Sequence, residues 1–192
     1  MSGLQLSYEN KIEKILFSNL EIQAAVERLA AEIARDYSGK PLLVLGVLKG
    51  ALYLTADLVR ALSRVPDGPS RIELDFIVVS SYGNSTRSSG EVRLLKDTSE
   101  KIAGKNVLII EDIIDNGLTL QYLRSLLSGR EPASLRSCVL FDKPYNRLVE
   151  VPVDYVGLVA PDAFVVGYGL DYQESYRNLP YLAQLQSWVF SQ

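Results

Sequence analysis

The sequence predicts an α/β domain built on a mainly parallel, twisted sheet flanked by helices. Three observations carry the prediction. Segments of strand and helix character alternate along the chain, the pattern of parallel strands joined by helical crossovers. The run Val107, Leu108, Ile109, Ile110 is apolar without alternation, as expected of a strand covered on both faces. Acidic residues then follow, and a small-residue turn opens a helix, so polar groups collect at a strand's carboxyl end, where open α/β sheets bind ligands. At 192 residues the chain reads as a single domain, 1–192, long enough to bury about 70% of its unfolded surface.

The elements follow in order. Ser18 followed by Glu21 reads as a capping box, and Ile22, Val26, Leu29 and Ile33 give the apolar face of a first helix ending near Gly39. Pro41 to Leu48 is a buried strand, and Ala51 to Leu62 a helix packed on the sheet. Arg64 to Ser70 is a turn rich in Pro and Gly. Ile72 to Ser81 is a strand, Tyr82 to Gly90 a loop rich in Ser, Gly and Asn, and Glu91 to Lys96 a return strand. From Gly117 a helix follows, with Leu120, Leu123, Leu126 and Leu127 spaced to cover one face. Leu135 to Asp142 and Asp154 to Val159 complete the strands, and short apolar pieces lie around Phe164 and beyond Pro180.

Composition narrows the chemistry. The chain has no histidine, which removes a Ser-His-Asp triad, an imidazole base and any His-containing zinc site. Carboxylates, lysine or tyrosine must move any proton. A net charge of −3 and a pI near 5.1 argue against nonspecific nucleic-acid binding, which depends on a basic face. The single cysteine, Cys138, allows no intrachain disulfide, and its apolar neighbours predict a core thiol in a reducing compartment. No apolar run approaches the ~18 residues of a membrane span, and the charged N-terminus is unlike a signal peptide. A cytoplasmic protein without membrane or nucleic-acid partners is expected.

The segment VLIIEDIIDNGLT, Val107 to Thr119, is the candidate site. Backbone N–H groups from about Asp115 to Thr119 lack helical partners and carry the positive end of the helix dipole, an arrangement suited to a phosphate dianion. Thr119 adds a hydroxyl donor. A plainer reading stands beside this one: Asp115 or Asn116 caps the helix, and Glu111 and Asp112 are solvated strand-end charges.

The string from Glu111 to Thr119, following four branched aliphatics, resembles the phosphoribosyl-pyrophosphate (PRPP) motif of type I phosphoribosyltransferases. LGVLKGA (Leu45 to Ala51), SYGNSTRSSGEV (Ser81 to Val92), FDKP (Phe141 to Pro144), PDAFVVGYGLDY (Pro161 to Tyr172) and YRNLPY (Tyr176 to Tyr181) resemble the bacterial hypoxanthine branch of that family. The resemblance runs in order from about residue 10 to 185. It implies the type I fold, with a small hood formed by the N-terminal segment and about residues 160–192, and a flexible lid loop at about residues 81–91.

The resemblance also implies an activity: transfer of 5-phosphoribosyl from PRPP to N9 of hypoxanthine or guanine, giving IMP or GMP and pyrophosphate, with Mg²⁺ as cofactor. Glu111 and Asp112 then serve the ribose hydroxyls or organise the metal, and Asp115 is the general base at purine N7. Asp115, Asn116, Gly117, Leu118 and Thr119 surround the 5′-phosphate. Asn116 departs from the usual threonine or serine. Lys49 and Gly50, Ser81 and Tyr82 of the lid, and Arg177 meet pyrophosphate. In this family the bond corresponding to Leu48–Lys49 is often a cis peptide. Lys143 would donate to the purine 6-oxo group, Phe164 would stack on the ring, and the Val165 backbone would meet its polar edge. Asp171 borders the purine and organises a second Mg²⁺, partly through water. Self-association as a dimer or tetramer is likewise implied.

Alternatives stay open at this level. Lys49 and Lys143 also read as solvated charges, Phe164 as an ordinary core aromatic, and Asp171 with Arg177 as a salt bridge. A xanthine or pyrimidine specificity is a second enzymatic reading. A regulator that binds RNA or DNA on this fold is a third, and the acidic chain with only about 17 residues before its first helix disfavours it.

Overall fold

The computed structural model describes residues 9–81 and 92–191, with the side chains of Glu9 and Ser81 outside the description. The expected lid, including Tyr82, lies outside the described residues. Its stems do not: Ser81 pairs with Val92 across an antiparallel ladder.

The main sheet has six strands. They are β2 (Pro41–Leu48), β3 (Arg71–Ser81), β4 (Val92–Lys96), β5 (Asn106–Ile114), β6 (Ser134–Asp142) and β7 (Tyr155–Val159). Their order is β4-β3-β2-β5-β6-β7, parallel except for the edge strand β4. Helices α1 (Asn19–Asp36) and α2 (Leu52–Leu62) cover one face, and α3 (Leu118–Ser128) covers the other. Strand period decides which residues go where. Leu42, Val44, Leu108, Ile110 and Cys138 pack under α1 and α2, while Leu43, Leu45, Val107, Ile109 and Val139 pack under α3. The unbroken apolar runs are therefore two interleaved faces, both buried, and Cys138 is a fully buried free thiol.

Helix α1 begins as the sequence predicts. The Ser18 side chain accepts from the Glu21 N–H, and the Glu21 carboxylate accepts from the Ser18 N–H at 2.8 Å. Such a pair satisfies two end donors that the helix itself leaves free. Two boundaries differ from the sequence reading. Strand β5 runs past Ile110 to Ile114, because its pairing with β6 continues through Glu111 and up to Ile114 with Asp142. Leu126 is only partly buried, so Leu120, Leu123 and Leu127 form the buried stripe of α3.

A second sheet of three strands is the hood: β1 (Ile12–Phe17), β9 (Leu182–Leu185) and β8 (Val165–Val166), in the order β1-β9-β8 and antiparallel. It pairs Ile12–Phe17 with strands from the segment 165–185. The short helix α4 (Ser187–Phe190) follows β9. Among the described residues no helix is long and apolar enough to cross a membrane.

Candidate active site

The site lies where the sheet order reverses. After β2 the chain crosses to β3 on one side, while β5 pairs with β2 on the other, so the loops that follow β2 and β5 diverge and leave a crevice. Glu111, Asp112, Ile113, Ile114, Asp115, Asn116, Gly117, Thr119 and Leu120 line a cavity of about 230 Å³ there. Leu118 contributes its backbone: its N–H donates to the Asn116 side-chain oxygen at 3.0 Å.

The capping alternative separates by residue. The α3 N-cap is Gly117, at φ +87°, without a side-chain cap bond. A β-carbon at this position would lie 3.1 Å from both the Val149 carbonyl and the Arg147 side chain, and a left-handed residue favours glycine in any case. Asn116 does serve the helix, by holding the first helical N–H. The Leu118 N–H, one of those without a helical partner, is thus held by a side chain. The Asn116 carbonyl in turn accepts from Leu148 and Val149, so the segment after β6 braces the turn from outside. Asp115 is no cap: its Oδ1 is buried without a hydrogen-bond partner among the described residues.

The strand-end acids are not solvated. Glu111 is 5% exposed, and its Oε2 is buried without a partner. Burial, reinforced by the charge of Asp112, pushes its pKa up to about 8. Burial also raises Asp112, to about 6, against the opposing pull of the Ile113 N–H and the more distant Arg177. Two adjacent carboxylates are hard oxygen donors that suit Mg²⁺, and the Glu111 Oε2 has no partner among the described residues. Among the described residues no three acidic side chains gather into a metal cluster, so an ion here would complete its coordination with water and substrate oxygens.

The loop after β2 packs directly on this pair. Leu48–Lys49 is a cis peptide. Gly50 lies against the Asp112 carboxylate, and Gly169, at φ +103°, lies against the Gly50 carbonyl. The Gly169 carbonyl accepts from Arg177 at 2.8 Å. Arg177 also pairs with Asp171 at 2.7 Å and with Glu174 at 3.4 Å, and Glu174 pairs with Lys49 at 2.9 Å. The salt-bridge reading of Asp171 and Arg177 is thus what the structure shows, and the same bridge holds both beside the Lys49 loop. Lys49 is exposed yet tied by Glu174 rather than merely solvated.

On the other side of the cavity, the Lys143 N–H donates to the Ile114 carbonyl at 2.9 Å, which sets the end of β6 beside the end of β5. Its ammonium is nearly buried, 4.0 Å from Asp115 and 3.8 Å from Asp162. Phe164 belongs to the hood cluster, whereas its neighbour Val165 packs on the main core. Sequence reasoning missed four residues: Gly169, Glu174, Asp162 and Arg147. Only Gly169 left a signal, in the Gly167, Tyr168, Gly169 run; the other three are charged residues whose site contacts, Lys49 for Glu174, Lys143 for Asp162 and Gly117 for Arg147, come from other segments of the chain.

The phosphoribosyl transferase domain model matches residues 14–173. The hypoxanthine-guanine phosphoribosyltransferase of Bacillus subtilis is 49% identical over 95% of this chain and 98% of its own. A crystal structure of a Staphylococcus aureus hypoxanthine phosphoribosyltransferase superposes with a TM-score of 0.89 at 41% identity, covering 98% of this chain and 100% of that one. A Trypanosoma cruzi hypoxanthine phosphoribosyl transferase, studied for the role of its C-terminal region on oligomeric state and enzymatic activity, superposes with a TM-score of 0.87 at 44% identity over 97% of each chain. With its reversal-point crevice, paired acids and glycine-opened helix, the chain belongs to the phosphoribosyltransferase family and is an enzyme of its hypoxanthine-guanine branch.

Proposed function

We propose that the protein salvages purines by transferring 5-phosphoribosyl from PRPP to N9 of hypoxanthine or guanine, releasing pyrophosphate and forming IMP or GMP. The observation that carries this reading is Asp115: a buried carboxylate oxygen without a partner, beside a turn suited to phosphate and 4.0 Å from a lysine. The α3 turn holds the 5′-phosphate through backbone N–H groups, the Thr119 hydroxyl and Asn116. Glu111 and Asp112 orient the ribose hydroxyls, while Gly50, Lys49 and Arg177 face pyrophosphate. Lys143 donates to the 6-oxo group, which an adenine amino group could not accept, and Phe164 and the Val165 backbone hold the ring.

As the C1′–oxygen bond to pyrophosphate breaks, positive charge develops on the ribose, as at a glycosidase centre. Asp115 takes the proton from purine N7 while N9 bonds to C1′. Bound Mg²⁺, held by Glu111 and Asp112 at one position and by Asp171 at another, would neutralise the departing pyrophosphate. A cytoplasmic homodimer or homotetramer belongs to the same reading.

Incubation with PRPP, Mg²⁺ and each of hypoxanthine, guanine, xanthine, adenine and uracil tests it. Nucleotide should form from hypoxanthine or guanine and not from adenine or uracil, and should require the metal. Product from uracil alone would overturn the base assignment.

A further inference from the structure

The purine wall has a second layer. Phe164 and Phe190 stack at 4.6 Å between ring centroids with 16° between planes, and Tyr172 meets Phe164 edge-on at 5.6 Å and 88°. Both contacts are aromatic geometries with real attraction. The chain takes trouble to bring Phe190 there. The Leu185 N–H donates to the Phe164 carbonyl at 3.0 Å, and the Gln186 N–H donates to the Lys11 carbonyl at 2.9 Å. Helix α4 then folds the last residues back across the hood. Phe164, Tyr172 and Phe190 all belong to the hood cluster around Val166, Leu179 and Leu185. Phe190 therefore covers one face of Phe164 and Tyr172 meets its edge, so a base stacking on Phe164 would use the other face.

We infer that Phe190 is a positioning residue for the purine: it fixes the plane of Phe164 so that the base meets a rigid ring. The inference rests on the assignment of Phe164 to the base. A ring clamped on its rear face and edge loses little freedom when the base stacks, so binding keeps more of the stacking energy. Asp171 adjoins Tyr172, so the same clamp ties the base wall to the Arg177 cluster.

Kinetics of Phe190→Ala, Phe190→Tyr, Phe164→Ala and the double alanine variant, with hypoxanthine and PRPP varied separately and a thermal melt of each, test this. Phe190→Ala should raise the KM for hypoxanthine about 3- to 10-fold, the range of an aromatic pair, while moving the KM for PRPP less than about twofold on the same scale. Phe190→Tyr should restore the wild-type value, and the double variant should match Phe164→Ala, since neighbours acting through one contact are not additive. A fall in the hypoxanthine KM would overturn the inference by showing that Phe190 competes for the base seat. So would an equal rise for both substrates, or no change where Phe164→Ala has an effect. If Phe164→Ala itself leaves the hypoxanthine KM unmoved, the base assignment fails, and the inference with it.

Discussion

Gly50 sits so close to Asp112 that a β-carbon at position 50 would lie 1.8 Å from the Asp112 Oδ2. The residue that follows the Lys49 loop and the second acid of β5 are therefore one packed unit, although 62 positions separate them along the chain, the difference between residues 112 and 50. That contact couples the side of the site proposed to face pyrophosphate to the side proposed to hold the ribose.

Gly50→Ala should displace the Asp112 carboxylate and cost activity more than stability. A misplacement of about 1 Å in a reacting site is worth on the order of 10²-fold in rate, and that loss in kcat/KM for PRPP is expected. Initial rates and a melt on the same preparation check it. Near wild-type rates would mean that Asp112 can turn aside without consequence.

Asp115→Asn should lower turnover by about 10²–10⁴-fold, the usual contribution of a positioned base. PRPP affinity should change little, because the turn's backbone donors remain. Rapid-quench rates beside a PRPP titration separate the two quantities, and unchanged turnover would remove Asp115 from the mechanism.

Glu111 predicts a pH dependence of stability. Its folded pKa is about 8, against an ordinary value of 4.5. Between those values the unfolded chain loses the proton while the folded protein keeps it, so the ligand-free protein loses stability as pH rises through that window. Glu111→Gln cannot ionise. It should match wild type near pH 4.5 and exceed it above pH 8 by on the order of 3–5 kcal/mol, a rise in Tm of roughly 5–15 °C for a chain of this size. Equal melting temperatures at both ends of the range would contradict the buried charge. The same variant should be slower in catalysis.

Asn116→Thr restores the residue usual in this family. The Asn116 oxygen now holds the Leu118 N–H, and a threonine hydroxyl is shorter by one atom. If position 116 touches phosphate, the PRPP KM should fall severalfold, while the loss of the turn bond should lower stability by about 0.5–1.5 kcal/mol. A PRPP titration with a parallel denaturant melt reads both.

Much was legible in the sequence because it depends on local pattern. The apolar run Val107 to Ile110 gave a doubly covered strand, Ser18 and Glu21 gave a helix start, and Glu111 to Thr119 marked the site. Period and capping act over a few residues, so they can be read along the chain. The end of β5 could not be read this way, since its pairing with β6 carries it past the acids to Ile114.

The sequence by itself determined the α/β class, the family and the roster of polar groups, because those follow from residue type and order. Only the tertiary structure decided which reading of each group holds. Burial made Glu111 a raised acid rather than a solvated one, and Gly117 took the cap and left the Asp115 Oδ1 without a hydrogen-bond partner among the described residues. Glu174, 125 positions from Lys49, tied it to Arg177, and helix α4 brought Phe190 onto Phe164. These are contacts between distant segments, and no local preference encodes the burial or the charge partner that a fold supplies.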